Sequence, residues 1–227
     1  MIYAMSDLHG CYDKYIRMLE TIRFGDQDTL YILGDTVDRG KGGIRLLQDM
    51  MRRPNVIPLR GNHDYMAHRV LSRSVSSGAN DTAQAVIAER QMWLDDGGAP
   101  TYTSFIALSP EEQARVLAYM NTFLIYDEVQ AGGECYFLAH TVPEKEKMHR
   151  FETLMWAEFI VGEPDYDKEY FPDKYIVTGH TPTGLIVPGA SGRIIKLNRH
   201  IAIDCGAVYD HPLGCICLDT QEEFYAE

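Results

Sequence analysis

The chain has 227 residues, of which 45% are hydrophobic and 24% charged, within the range of one globular domain. Its formal charge of -12 comes from 21 Lys and Arg against 33 Asp and Glu, which argues against a nucleic-acid backbone as the partner. No apolar run matches a signal peptide or a membrane span, so we expect a cytoplasmic protein with no membrane partner. The five cysteines are scattered without a CxxC pair, which predicts reduced thiols.

The first apolar run, Ile2–Met5, predicts a short strand that leads into a polar, glycine-containing segment. Asp7 and His9 follow this strand two residues apart, so their side chains point the same way and form a plausible pair of metal ligands. The alternative is that one of them caps the helix that the helical spacing of apolar residues predicts over residues 12–19.

The second predicted strand, Thr29–Leu33, ends in the loop that contains Asp35, Asp38 and Arg39. In open α/β sheets, ligand crevices form at the carboxyl ends of strands. The three side chains therefore favour a metal or phosphate site, although Asp, Gly and Thr are also ordinary residues of a polar turn.

A helix over residues 42–51 and a third strand, Val56–Leu59, lead to Arg60, Asn62 and His63. Strand, helix and strand alternate at the spacing of parallel βαβ units. Three polar clusters at successive parallel strand ends would meet at one rim, which favours a functional site over three unrelated turns.

Residues 65–122 interrupt this alternation and predict a helical cap over one side of the rim, placed to select substrate. Residues 72–81 are a polar stretch, residues 82–94 have a helical pattern, and residues 95–100 indicate a turn. Ser109 begins a further helix, with Pro110 at its first position and Glu112 at the capping-box position.

The C-terminal half is rich in short apolar runs that predict strands. Residues 123–129 and 135–139 flank two glycines in a hairpin pattern, and the second of these strands leads to His140. The run Lys174–Thr178 leads to His180, and further strands are predicted over residues 194–197, 201–204 and 214–218. We therefore expect two packed sheets flanked by helices.

The residues at the strand ends offer carboxylate, amide and imidazole ligands, which suit Mn, Fe or Zn. They are Asp7, His9, Asp35, Asn62, His140 and His180. If Asp35 bridges, they divide around two ions about 3.5–4 Å apart, a geometry that binds a phosphoryl oxygen and holds a hydroxide for in-line attack. Arg39 and Arg60 would then neutralise phosphate oxygens. His63 would protonate the leaving oxygen, with Asp38 fixing its tautomer.

These segments, in this order, resemble the signature blocks of the phosphoprotein phosphatase branch of calcineurin-like metallophosphoesterases, closest to the small bacterial and bacteriophage lambda type. The blocks are Ser6-Asp7-Leu8-His9-Gly10, Gly34-Asp35-Thr36-Val37-Asp38-Arg39-Gly40, Arg60-Gly61-Asn62-His63-Asp64, His140 and Gly179-His180. The resemblance spans nearly the whole chain. It implies one domain over residues 1–227, an α/β metallophosphatase-type β-sandwich of two mixed sheets flanked by helices, with the helical cap as an insertion.

The resemblance also implies two divalent ions, with Mn²⁺ expected first and Fe or Zn as alternatives. It places Asp7, His9 and Asp35 on one ion, Asp35, Asn62, His140 and His180 on the other, and His63 with Asp38 as the acid dyad. Two positions depart from the family pattern. Ser6 stands where glycine is usual, and Glu158 stands two residues after Trp156, where such enzymes commonly carry an arginine that grips phosphate.

The function that this resemblance implies is metal-dependent phosphomonoester hydrolysis, with a phosphoserine or phosphothreonine protein or a small aryl phosphate as the substrate. The first alternative is a dinucleotide polyphosphate hydrolase, such as one that cleaves diadenosine tetraphosphate. We favour the protein phosphatase, because symmetrical dinucleotide hydrolases typically lack the residue at the position of Asp38. The second alternative is an inactive, metal-stabilised binding module, which would need no proton donor at His63.

Overall fold

The computed structural model describes residues 1–77 and 84–227 and arranges their ten strands in two five-stranded sheets. The first sheet has the order β10-β9-β1-β2-β3, formed by Glu223–Ala226, Leu213–Cys217, Ile2–Met5, Thr29–Leu33 and Val56–Leu59. The second has the order β4-β5-β6-β8-β7, formed by Tyr126–Ala131, Glu134–Ala139, Lys174–Thr178, His200–Ala202 and Ile195–Leu197. Both contain parallel and antiparallel pairs, so the predicted α/β fold with two mixed sheets is confirmed.

The two sheets pack face to face because their apolar side chains alternate between two buried faces. In β2, Leu30 and Ile32 join a core on the outer side of the first sheet, whereas Tyr31 and Leu33 point into the core between the sheets. In β5, Tyr136 lies in that inner core and Phe137 lies on the outer side of the second sheet. Burial on both faces explains the continuous apolar runs in the sequence.

Parallel pairing brings the polar strand ends to one edge of the molecule. β1, β2 and β3 are parallel neighbours, and β5 is parallel to β6. The backbone N–H of Gly179 donates to the carbonyl of His140 at 3.0 Å, which continues this pairing beyond the second pair. The segments after five parallel strands therefore lie close together at the same edge.

The longer helices are α1 Tyr12–Thr21, α2 Gly43–Met50, α3 Asn62–Ser77, α4 Gln84–Trp93, α5 Ala99–Ile106 and α6 Pro110–Met120, followed by the short α7 Lys145–Met148 and α8 Thr183–Ile186. Helices were predicted at the positions of α1, α2, α4 and α6, whereas α5 was not predicted. α1 covers the outer side of the first sheet. Side chains of α2 to α6 form a separate apolar core that includes Trp93 and Phe105.

Several boundaries differ from the sequence predictions. α3 begins at Asn62, directly in the third polar cluster, and contains the first part of the polar 72–81 stretch, whose last residues lie outside the described part of the chain. The alternative in which Asp7 or His9 caps α1 is wrong, because Cys11 holds the N-cap position without a side-chain hydrogen bond. The turn predicted over residues 95–100 is a π-type turn over Leu94–Gly98 that leads directly into α5.

The capping-box prediction is confirmed, whereas one strand was missed. Ser109 and Glu112 form the predicted reciprocal capping box, with Pro110 at the first helical position. β10 was not predicted, because only Ala226 in it is fully buried and its apolar signal is weak.

All five cysteines are free. Among the described residues, no helix is long and apolar enough to cross a membrane.

His200 in β8 is buried and neutral, and its protonation should couple stability to pH. Burial lowers the pKa of His200 to about 3. Its Nε2 lies 2.8 Å from the hydroxyl of Thr178, and its ring lies 4.6 Å from that of Tyr166. The unfolded state binds more protons than the folded state between that pKa and the ordinary value near 6.5, so this contribution to stability falls as the pH falls through that window.

We predict that lowering the pH from 7.5 to 5.0 costs the wild-type protein about 2 kcal/mol more than His200→Gln in free energy of unfolding. Urea denaturation of chelator-treated protein at both pH values measures this difference. His149→Gln, at an exposed histidine, is the matched control and should retain the wild-type pH dependence. Equal losses in the wild type and His200→Gln would contradict a neutral, buried His200.

Candidate metal centre

Asp35 lies at the centre of the site, between imidazoles that belong to the two different sheets. Its Oδ2 atom is 3.5 Å from Nε2 of His9 and 3.6 Å from Nε2 of His140. The Nδ1 atom of His9 contacts the carbonyl of Val37 at 3.0 Å, and that of His140 contacts the carbonyl of Leu33 at 2.8 Å. Each Nδ1 therefore carries the proton, which leaves the lone pair of Nε2 facing Asp35.

The second half of the cluster gathers around His140. Its Nε2 atom is 3.0 Å from Oδ1 of Asn62 and 3.0 Å from Nδ1 of His180. Asp35, His140 and His180 offer ligand atoms within 4.8 Å of one another, and so do Asp35, His9 and His63. Asp35 is common to both groups, the arrangement expected of a bridging ligand.

Asp7 joins the two sheets at the same edge. Its Oδ2 atom accepts a hydrogen bond from the backbone N–H of His180 at 3.0 Å, and its own N–H donates to the carbonyl of Gly34 at 3.1 Å. Asp7 does not belong to the closest three-ligand groups, where His63 stands beside His9 and Asp35. Its predicted role as a ligand therefore depends on its position beside His180.

The backbone of the site is held in a conformation that non-glycine residues rarely adopt. Six predicted site residues have positive φ angles, namely Asp7, His9, Asp35, Asp38, Arg39 and His180. Hydrogen bonds between loops hold this conformation, including those from the N–H of His9 to the carbonyl of Asp35 and from the N–H of Gly40 to the carbonyl of His9. The strain is concentrated where side chains must converge.

Gly34 and Gly61 leave the space that the converging side chains occupy. A Cβ atom at Gly34, which has φ +85°, would overlap Nδ1 of His140. A Cβ atom at Gly61 would overlap the carboxylate of Asp35. Both glycines are therefore needed for the close approach of Asp35 and His140.

The donor set fits divalent cations. Burial, with the nearby charges of Asp204 and Asp35, raises the pKa of Asp7, and burial raises the pKa of Asp204 to about 7. Burial lowers the pKa of His9 and of His180 to about 4, so these imidazoles are neutral ligands at pH 7. Crowded, buried carboxylates beside neutral imidazoles need positive charge, and O and N donors suit Mn, Fe or Zn.

His63 and Asp38 form the predicted pair beside this cluster. Nδ1 of His63 donates to Oδ2 of Asp38 at 2.9 Å, and both side chains are buried. Burial disfavours the charged imidazole, but the hydrogen bond to Asp38 and the charges of Asp35 and Asp38 outweigh it and raise the pKa of His63. The Nε2 atom of His63 lies 3.0 Å from Nη2 of Arg39, and it donates a proton only from the doubly protonated imidazole, which Asp38 stabilises.

The two predicted phosphate-binding arginines are in different environments. The guanidinium of Arg39 lies against the cluster, with Nη1 2.6 Å from Nε2 of His9 and Nη2 3.0 Å from Nε2 of His63. A cation therefore already lies against these ligand atoms. Arg60 instead donates from Nη2 to the carbonyl of Met120 at 2.9 Å, at the end of α6. Its role in phosphate binding stays a prediction.

The segment that departs from the family pattern lies near the cluster but adds no cation. Lys147 pairs with the half-buried carboxylate of Glu158 at 3.3 Å. The ring of Trp156 lies 4.6 Å from that of Tyr65, two residues after His63. Thr141, which follows His140, holds the segment around Glu158 in place, because its N–H donates to the carbonyl of Phe159 at 3.0 Å.

Sequence reasoning missed the residues that orient the predicted ones. Trp93 donates from Nε1 to Oδ2 of Asp38 at 2.7 Å, and the N–H of Asp38 donates to the hydroxyl of Thr101 at 2.9 Å. Asp64 accepts hydrogen bonds from the N–H groups of Thr36 and Gly61 at 3.0 and 3.1 Å, which ties the two loops together. The position of Asp64 in the third block was a signal for such a role. Nothing in the helical pattern around Trp93 marked it.

A family model for calcineurin-like phosphoesterases matches residues 1–193, so the chain belongs to the calcineurin-like phosphoesterase family. A symmetrical bis(5'-nucleosyl)-tetraphosphatase of Methylobacillus flagellatus is 33% identical over 86 residues, 37% of this chain and 31% of the relative. One of Xylella fastidiosa is 45% identical over 76 residues, 32% of this chain and 25% of the relative. The matched segments thus span about a third or less of these curated relatives.

Solved structures share the fold at lower identity. The crystal structure of a candidate diadenosine tetraphosphatase superposes with a TM-score of 0.70 at 14% identity, covering 99% of this chain and 92% of the other. A serine/threonine phosphatase of Saccharomyces cerevisiae superposes with a TM-score of 0.57 at 12% identity, covering 100% and 79%. At these identities the likeness is evidence for the fold alone.

These relatives correct the expected function. The superfamily is confirmed, but the serine/threonine protein phosphatase expected as the main function is wrong, because the relatives matched by sequence are named bis(5'-nucleosyl)-tetraphosphatases. The argument from Asp38 failed for a physical reason. Asp38 orients His63 and accepts from Trp93, and a proton donor held in this way serves many leaving groups, so its presence does not identify the substrate.

We predict that Asp35→Asn loses both divalent ions together, because the amide removes the shared charge between His9 and His140. Metal analysis of protein reconstituted with Mn²⁺ measures the ion content per chain. Asp26→Asn, at an exposed turn residue, should bind as the wild type does. Retention of one ion per chain by Asp35→Asn would show that Asp35 does not bridge.

Proposed function

We propose that this chain is a metal-dependent hydrolase that cleaves the polyphosphate bridge of a dinucleotide such as diadenosine tetraphosphate, releasing two nucleoside diphosphates. The observation that carries the proposal is the shared position of Asp35 in two ligand groups, within a chain whose sequence relatives are named symmetrical tetraphosphatases. The negative charge of a polyphosphate bridge also suits the guanidinium of Arg39 and the cations that these ligands would hold at the same edge.

The proposal keeps the division of ligands that the sequence predicted. Asp7, His9 and Asp35 would hold one ion, and Asp35, Asn62, His140 and His180 would hold the other. When bound, two divalent ions supply positive charge to the phosphoryl oxygens and lower the pKa of water. The identity of the ions belongs to the proposal as well, with Mn²⁺ favoured and Fe or Zn as alternatives for this set of oxygen and nitrogen donors.

The protein's own groups bind and orient the phosphate bridge and supply a proton. Arg39 lies within hydrogen-bond distance of His9 and His63, so small rotations of its side chain would bring its N–H groups to a non-bridging phosphate oxygen. His63 has its Nδ1 proton fixed on Asp38, so Nε2 is the atom that donates a proton to the leaving oxygen. Trp93 holds Asp38 in place.

The His63–Asp38 pair also supports an active enzyme over the inactive binding module. A structural metal site needs only its ligands. Among the described residues, the side chain of Asp38 forms no hydrogen bond to a predicted ligand, and it accepts from His63 and Trp93, which are both buried. Burying a carboxylate to orient one imidazole costs stability, which a purely structural site has no reason to incur.

We predict that the Mn²⁺-loaded protein converts diadenosine tetraphosphate to ADP as its sole nucleotide product. Its kcat/KM should exceed that for a phosphoserine peptide by about tenfold or more, because binding of the remote nucleoside groups contributes to catalysis. Chromatography of the products and initial rates for both substrates measure this, with Asp35→Asn as the background control. Products of ATP and AMP, or a preference for the peptide, would refute the proposal.

The acid role of His63 predicts a dependence on the leaving group. His63→Asn should lower kcat by about 10²–10⁴ with an unchanged metal content, because a positioned proton donor contributes that much. The loss should be larger for phenyl phosphate than for p-nitrophenyl phosphate, whose leaving oxygen needs less protonation. His68→Asn, one turn further along α3, is the control and should retain activity. An equal loss on both esters would leave His63 without an acid role.

A further inference from the structure

A basic cavity lies beside the candidate metal centre and has no part in the ligand set. Its volume is ≈ 360 Å³, and Lys14, Lys41 and Arg45 contribute positive charge to its lining. Tyr12 and Asp13 line it as well. The volume falls within the range of pockets that hold small ligands.

The cavity shares a wall with the metal centre. Gly10, which lines the cavity, directly follows His9, and Lys41 lies two residues after Arg39. The carbonyl of Gly10 accepts a hydrogen bond from the N–H of Gly42 at 3.0 Å, which pins the two loops together. The cavity and the metal centre are therefore lined by neighbouring residues of the same two loops.

The charge in this cavity is opposite to that of the whole chain, which is -12. Lys14 donates to the carbonyl of His211 at 2.6 Å, so its charge is not neutralised by that partner. Within residues 1–77 and 84–227, no carboxylate forms an ion pair with Lys41 or Arg45. Three cations against the carboxylate of Asp13, with that of Asp210 near Cys11, leave a net positive charge that suits phosphate.

The remaining lining groups match the other parts of a nucleotide. The guanidinium of Arg45 lies over the Tyr12 ring, 4.0 Å from its centroid, and each of these two planar groups is of a kind on which a base can stack. The carboxylate of Asp13 is the kind of group that accepts hydrogen bonds from ribose hydroxyls. Phosphate, ribose and base would each find a suitable partner.

We propose that this cavity binds one nucleoside diphosphate half of the dinucleotide substrate, and this inference rests on the proposed function. Lys41 and Lys14 bind the phosphate that is attached to the nucleoside of this half, and the Arg45–Tyr12 pair stacks on the base. The cavity thus distinguishes a dinucleotide from a short phosphate ester, which occupies only the metal centre.

Binding of ADP to the chelator-treated full chain tests the cavity without the metal ions. Isothermal titration should show that the wild type binds ADP more tightly than inorganic diphosphate. The double variant Lys41→Glu/Arg45→Glu should weaken ADP binding by about tenfold or more, because charge-assisted contacts are lost. The control is Arg115→Glu, at an exposed residue that lines a separate cavity, and it should bind ADP as the wild type does.

Kinetics separate this inference from the proposed function. In the Mn²⁺-loaded double variant, KM for diadenosine tetraphosphate should rise about tenfold while kcat/KM for p-nitrophenyl phosphate stays unchanged. A wild type that binds ADP through Lys41 and Arg45 but does not cleave the dinucleotide would refute the proposed function alone. A wild type that does not bind ADP, one that binds diphosphate as tightly, or equal ADP affinity in the double variant and Arg115→Glu would overturn the cavity assignment.

Discussion

The rest of the site depends on one buried carboxylate, that of Asp35, which lies at nearly equal distance from imidazoles carried by the two sheets. A buried anion is costly unless it is paired, and here its neighbours include Asp7 and Asp204, which are also buried and acidic. Neutral imidazoles cannot balance this charge. Arg39 brings one positive charge to this cluster, and the carboxylate charge and imidazole lone pairs together fit divalent cations.

The fold positions this carboxylate by ending parallel strands at one edge, and the loops then turn back through left-handed backbone conformations. Such conformations cost free energy at residues other than glycine. Hydrogen bonds between neighbouring loops offset that cost, and Asp64 strengthens them by accepting from both Thr36 and Gly61. The same residues that order the loops leave Asp35 and His140 free to face each other. The same few segments therefore determine both the order of the loops and the positions of the candidate ligands.

Much of this arrangement could be predicted because its signal is local. Short apolar runs that end in Asp, His or Asn predicted the strands, and parallel pairing then required their ends to meet, as Asp35 and His140 do. Contacts between distant segments carry no such signal. The Trp93 indole that holds Asp38 comes from a helix with an ordinary pattern, and the carbonyl of Gly97 accepts from the N–H of Arg39 in what the sequence indicated was only a turn. Arg60 follows a strand as Asn62 does, yet its guanidinium contacts the end of α6.

Substrate choice depends on contacts between segments that are distant in the sequence, which local patterns do not indicate. Under the proposed function, the metal ligands, Arg39 and the His63–Asp38 pair would act on a phosphoryl group and its leaving oxygen, and every phosphate ester and anhydride offers these. Substrates differ in the group beyond the phosphate, and side chains around the metal centre would bind that group. In the segment that contacts Thr141, Glu158 is paired with Lys147, so this segment adds no net positive charge for a second phosphate. On the side of His9, Lys41 and Arg45 have no described ion-pair partner. Under the proposed function, this asymmetry of charge would favour a substrate whose additional phosphates extend in one direction, towards α1 and α2.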